Sequence, residues 1–165
     1  MSGAAPITID ELAERLPAGR TLIGLDVGTK TIGIAVSDRR RQIASPRETI
    51  RRGKFAADAA RLLAIAAEDE VAAVIVGLPI SMDGSEGPRA QSTRAFARNL
   101  SRLTDLPLAF WDERLSSAVV ERMLIEADRS RARRAEIVDK LAAAYILQGA
   151  LDRLARIADQ STSET

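Results

Sequence analysis

The chain has 165 residues, 46% of them hydrophobic and 28% charged, and its 24 basic and 23 acidic residues leave a net charge of +1, as in one soluble globular domain. It contains no cysteine and no histidine, which removes disulfides, thiol nucleophiles, histidine bases, Ser-His-Asp triads and the usual zinc ligands together. Any metal must then be held by oxygen, which favours Mg²⁺ or Mn²⁺, and the composition and lack of a long apolar run lead us to expect a cytoplasmic protein without membrane contact.

Residues 1–6 read as a loose leader, and Thr8-Ile9-Asp10-Glu11 has the spacing of a capping box. It predicts a short helix with Ile9, Leu12, Ala13 and Leu16 on one side, ended by Pro17 and Gly19. Two strands follow, at about Thr21–Val27 and Thr31–Ser37, rich in β-branched residues and joined tightly enough to be antiparallel. The first carries one carboxylate, Asp26, in otherwise apolar surroundings. Such an acid either reaches solvent at the strand end or is held by a partner or a metal, because burying an ionised carboxylate alone is costly.

A third strand is expected within Gln42–Ile50, where Pro46 argues for a sheet edge. From Lys54 to Glu70 the apolar period becomes helical, and Val71–Gly77 reads as a short buried strand. Residues 80–88 form a loop rich in turn residues, and Pro88 suits the first turn of the helix bearing Phe96, Ala97, Leu100 and Leu103. Pro107–Trp111 is the fifth strand, leading into Asp112-Glu113-Arg114. Ser116 is placed to cap a helix with Val119, Val120, Met123 and Leu124, and Ala127–Arg134 reads as a charged, mobile segment. The last helix is expected over Ala135–Ala158, with Asp159–Thr165 a polar tail.

Right-handed crossovers would make strands 4 and 5 parallel to a central strand 1, so that the C-terminal ends of all three share one edge, where open α/β sheets bind ligands. Asp26 lies there, and strand 5 delivers Asp112 and Glu113 to it. Alternation points these two acids to opposite faces without saying which joins Asp26. Asp139 is a third acid, in a helix apolar on nearly every side. Three such carboxylates could bind two Mg²⁺ ions and activate a water for phosphodiester cleavage without a covalent intermediate, or they could pair with arginines or lie in a solvated turn. Basic runs at Arg39–Arg41, at Arg51, Arg52 and Lys54, and at Arg129–Arg134 suggest a polyanion partner.

The segments Leu25–Asp38, Val76–Pro88, Asp112–Ser116 and Val138–Ala143, in this order across residues 21–155, resemble the YqgF family, also called RuvX. That family consists of small bacterial proteins of ribonuclease H-like fold, assigned to 5′-end maturation of pre-16S rRNA and also described as Holliday junction resolvase-like. The resemblance implies a mixed five-stranded sheet, three antiparallel strands then two parallel, flanked by helices. Residues 21–158 would form the nuclease domain, 1–20 an N-terminal extension and 159–165 a disordered tail. Asp26, Glu113 and Asp139 would be the catalytic acids and ligands of two Mg²⁺ or Mn²⁺ ions, so the resemblance selects Glu113 over Asp112. Lys30 and Arg114 would contact phosphate, with Arg89, Asp83 and Gly84 beside the nucleic acid, although Asp83-Gly84 also reads as a plain turn.

Thr31 stands where the family often has a basic residue and Ile80-Ser81 where Leu-Asn is usual, which bears on substrate contacts and on no proposed metal ligand. The implied substrate is structured RNA, pre-16S rRNA in a pre-ribosomal particle, with four-way DNA junctions as the alternative. Asp26-Val27-Gly28-Thr29 also resembles the first phosphate loop of actin-like ATPases, but one domain supplies no second wall for an ATP cleft, so no ATP is expected. A non-catalytic nucleic-acid-binding module using the arginine runs is the third reading. It differs from the nuclease in predicting that the acids are dispensable.

Overall fold

The protein is described from a computed structural model, over residues 5–115 and 131–163, with the side chains of 115, 131–140, 162 and 163 outside the description. In chain order the elements are α1 (Ile9–Ala13), β1 (Thr21–Val27), β2 (Thr31–Ser37), β3 (Ala44–Arg51), α2 (Phe55–Glu68), β4 (Val71–Leu78), α3 (Pro88–Ser101), β5 (Leu108–Asp112), a 3₁₀ turn at Glu113–Leu115, and α4 (Arg131–Ser163). The capping box forms as its spacing predicts, with the Thr8 hydroxyl accepting from the Glu11 amide at 3.1 Å.

The sheet order is β3-β2-β1-β4-β5. β1 pairs antiparallel with β2 and parallel with β4, and β4 pairs parallel with β5, so the expected mixed sheet with β1 at its centre is present. β3 is an edge strand, as Pro46 requires, and its register shifts where Ile34 opposes Glu48 and Ala35 opposes Pro46, leaving Arg47 as the extra residue.

Alternation sends the strand side chains into two separate cores. Ile23, Leu25, Val27, Val74, Val76 and Leu108 pack with α2 and α3 on one face. Leu22, Ala73, Ile75 and Ala109 pack with α1 and with Ala143, Ile146 and Leu147 of α4 on the other. Because β4 is covered on both faces, every one of its residues is buried, which is why it reads as a continuous apolar run.

Ile7, just past the expected leader, donates its amide to Leu108 O at 2.8 Å and pairs with Ala109 beside β5. Two expectations change. The tail expected from Asp159 continues α4 to Ser163, because no glycine or proline follows Gly149 to stop the helix. The charged segment expected to end at Arg134 is helical from Arg131, since arginine and alanine are strong helix formers. The helix expected after Ser116 lies outside the described residues. Among the described residues no helix is long and apolar enough to cross a membrane.

Candidate active site

The face that α4 covers is where β1, β4 and β5 bring acids together. Asp26 follows Gly24 by two positions and so shares its face; Gly24 packs directly under Ala143 and Leu147 of α4. One step past the Leu25–Val76 pairing, Asp26 comes level with Gly77, which is itself level with Trp111 of β5. Two residues beyond Trp111, Glu113 leaves the strand in the 3₁₀ turn and reaches back across β4. Its carboxyl is hydrogen-bonded to Asp26.

That reach is possible only because residue 77 has no side chain. A Cβ there would stand 2.8 Å from Glu113 Oε1 and would also overlap the Ile146 side chain, which is almost fully buried. Gly149 does the same service for Trp111, whose indole ring occupies the space a Cβ at 149 would need. α4 therefore lies close on the strands that carry both acids.

Burial and the neighbouring Asp26 charge push the Glu113 carboxyl up to about 8, with Asp112 adding to the effect and Arg89 opposing it. Two carboxyls forced together share a proton when nothing else neutralises them, so the pair titrates as a unit. Oxygen donors facing one another in a partly buried recess match the chemistry of a hard divalent cation, which would take the proton's place.

Asp112 is spent differently. Its carboxylate receives the Arg114 side chain at 2.6 and 2.9 Å and the Arg114 amide at 3.0 Å, and the guanidinium holds it below the usual carboxylate range. Arg114 is accordingly an ion-paired residue. Asp139 lies in α4 one helical turn before Ala143, and its side chain is outside the described residues. Among the described residues, no three acid side chains form one group.

The β1–β2 turn at residues 28–30 is braced from outside. Arg52 donates to Gly28 O at 2.7 Å while its guanidinium lies 5.5 Å from the Phe96 ring centre, and its amide donates to Lys30 O at 2.9 Å. Arg89 reaches Val27 O at 3.5 Å, and Lys30 is exposed at the turn tip. Asp83-Gly84 forms the plain turn that its sequence allows, with Gly84 at φ +89° and the Asp83 carboxylate, held low by hydrogen bonds from Ser85, accepting at 2.6 and 2.9 Å. Gly77 and Arg52 were missed from sequence. A glycine inside an apolar strand signals close approach, whereas nothing in the Arg51-Arg52 pair distinguishes the bracing residue.

The first basic run is largely occupied by the fold: Arg39 pairs with Glu70 at 2.7 Å and Arg41 donates to Pro17 O at 2.9 Å. Arg129 lies outside the described residues, as do the side chains of Arg131, Arg133 and Arg134.

In comparisons with known proteins, a relative from Ruegeria pomeroyi named "Putative pre-16S rRNA nuclease" is 63% identical over 147 residues, 89% of this chain and 96% of its own. One of the same name from Rhizobium meliloti is 60% identical over 154 residues, 93% of each chain. Among solved structures, Thermus thermophilus RuvC in complex with a Holliday junction matches with TM-score 0.52 at 16% identity, covering 82% of this chain and 96% of that one. The yeast mitochondrial Holliday junction resolvase Ydc2 matches with TM-score 0.51 at 10% identity, covering 94% and 91%. These two likenesses place the fold among ribonuclease H-like resolvases. The family described as "RuvX: Holliday junction resolvase" matches residues 20–153, and the chain belongs to it.

Proposed function

We propose that the protein is a divalent-metal-dependent endonuclease that hydrolyses phosphodiester bonds in structured RNA, with the precursor of 16S rRNA as its substrate. The observation that carries the reading is the carboxyl pair of Asp26 and Glu113, held together over Gly77 at the ligand-binding edge of the sheet. The names of the relatives support the substrate.

Asp26 and Glu113 would hold the cation between them, with Asp139, one turn along α4 from the helix–β1 contact, as the third ligand. When bound, a pair of Mg²⁺ or Mn²⁺ ions supplies activation of the attacking water and charge stabilisation at the phosphate. Glu113 gives up its proton as the site fills. Lys30, exposed on the braced turn, and Arg89, on the Val27 side of the acids, would orient the phosphate backbone. Arg114 lines the same recess while Asp112 fixes its direction. Binding should weaken as salt rises, because these contacts displace counterions.

The test is to incubate the protein with a pre-16S RNA fragment spanning the 5′ end and with a four-way DNA junction, with and without Mn²⁺. Asp26→Asn, Glu113→Gln and Asp139→Asn serve as the variants. Mn²⁺-dependent cleavage of the RNA, lost in each variant, supports the reading; preference for the DNA junction would move the substrate to DNA. Variants that cut as well as the unaltered chain would overturn the metal site.

A further inference from the structure

The recess that Glu113 and Arg114 share is a cavity of about 460 Å³, one wall of which hydrolysis itself does not require. Pro79, Ile80, Met82 and Pro88 give it an apolar wall, while Glu113, Arg89 and Arg114 line it as well. The volume lies toward the small end of ligand pockets, which run from roughly 300 to 1,000 Å³. Phosphates and metal ions gain nothing from an apolar wall. The part of a nucleotide that does is the base.

The wall is carried on a loop that is fixed at several points. Ser81 N donates to Ser85 O at 2.9 Å and Gly84 N to Ser81 O at 2.8 Å. Glu86 is gripped by Arg94 of α3 through two hydrogen bonds of 2.6 and 2.8 Å, and Pro88 starts that helix. At the tip of this braced loop Met82 is 87% exposed, so it adds nothing to either core. A lone exposed apolar residue is ordinary; one fixed at the lip of an apolar-walled, cation-lined cavity next to paired acids is placed for a ligand with both characters.

We infer that this cavity receives one unpaired base of the nucleic-acid substrate, adjacent to the phosphate at the proposed Asp26–Glu113 cation site, with Ile80 and Met82 packing against the base. The inference rests on the nuclease reading and adds to it a rule for substrate choice. A base already free of a partner enters at little cost, whereas one inside a continuous duplex must first be unstacked, so cleavage falls at bulges, junctions and single-stranded flanks.

The test uses the full chain and RNA hairpins carrying a single bulged 2-aminopurine, bound with Ca²⁺ in place of Mn²⁺ so that the cation site is filled and binding is read apart from cleavage. Among the described residues the cavity lining includes no aromatic ring to quench the probe, so binding brightens it. Met82→Ala, a change at an exposed position, abolishes the brightening and weakens binding of the bulged RNA about tenfold, the scale of a lost base contact. Ile80→Ala acts in the same direction. Neither variant alters affinity for the same hairpin with an abasic site at the bulge. Cleavage in Mn²⁺ is read separately: brightening without cleavage upholds the pocket and overturns the nuclease, and cleavage without brightening overturns the pocket. Equal losses by Met82→Ala on bulged and abasic RNA also overturn it.

Discussion

Metal-free protein should lose stability as pH rises from about 4.5 to about 8, and Glu113 is the reason. In the folded chain this carboxyl is raised from 4.5 to about 8, so over that window the native state binds a proton that the unfolded chain has released. The favourable linkage is fully present below the unfolded value and is lost as pH passes through the folded one. Converting the whole displacement gives a ceiling of about 5 kcal/mol; relaxation of the 3₁₀ turn and sharing of the proton with Asp26 make about 2–3 kcal/mol the expected loss. Urea unfolding in EDTA at pH 5 and pH 8.5 measures it. The unaltered chain should unfold at markedly lower urea at the higher pH, Glu113→Gln should remove most of that difference, and added Mn²⁺ should restore stability at pH 8.5. An identical pH dependence in the two proteins would refute the placement of a buried, repelled carboxyl at 113.

Gly77→Ala should cost about 1–3 kcal/mol in urea unfolding, the scale of overpacking, and should weaken Mn²⁺ binding measured calorimetrically, because the new methyl group takes the space of the Glu113 carboxyl and the Ile146 side chain. Arg52→Met should reduce stability by about 1–2 kcal/mol through loss of its hydrogen bond to Gly28 and its contact with Phe96, and should increase hydrogen exchange at residues 28–30. Thr8→Ala should cost about 1 kcal/mol by uncapping α1, with no change in Mn²⁺ affinity.

Most of the sheet was legible because its strands announce themselves in different ways. β1 and β2 carry β-branched residues around a glycine turn, β3 is marked as an edge by Pro46, and β4 is an unbroken apolar run because helices cover both of its faces. The end of α4 was not legible. Its last turns project polar residues into water, and polarity resembles a tail when no helix-stopping residue marks the boundary.

The site divides along similar lines. Asp26 stood out as the one acid in an apolar strand. The choice between Asp112 and Glu113 was hidden because Leu108–Trp111 is apolar on both faces, so alternation had no reference face. The structure supplies it through Trp111, which packs on the α4 side, and Glu113 follows two residues later toward Asp26 while Arg114 claims Asp112. In the run Arg39–Arg41 the bonds of Arg39 and Arg41 were hidden for a related reason: a guanidinium that will reach a distant carbonyl looks, in sequence, like one that faces only a polyanion.

Mn²⁺ titration of the metal-free chain at pH 7, by calorimetry in two buffers of different ionisation enthalpy, tests the proposed Asp26–Glu113 cation site most directly. Binding should release close to one proton in the unaltered chain, and Glu113→Gln should abolish that release and weaken binding, because the cation replaces the proton held between the two carboxyls. Binding without proton release, or the same affinity and release in Glu113→Gln, would contradict it.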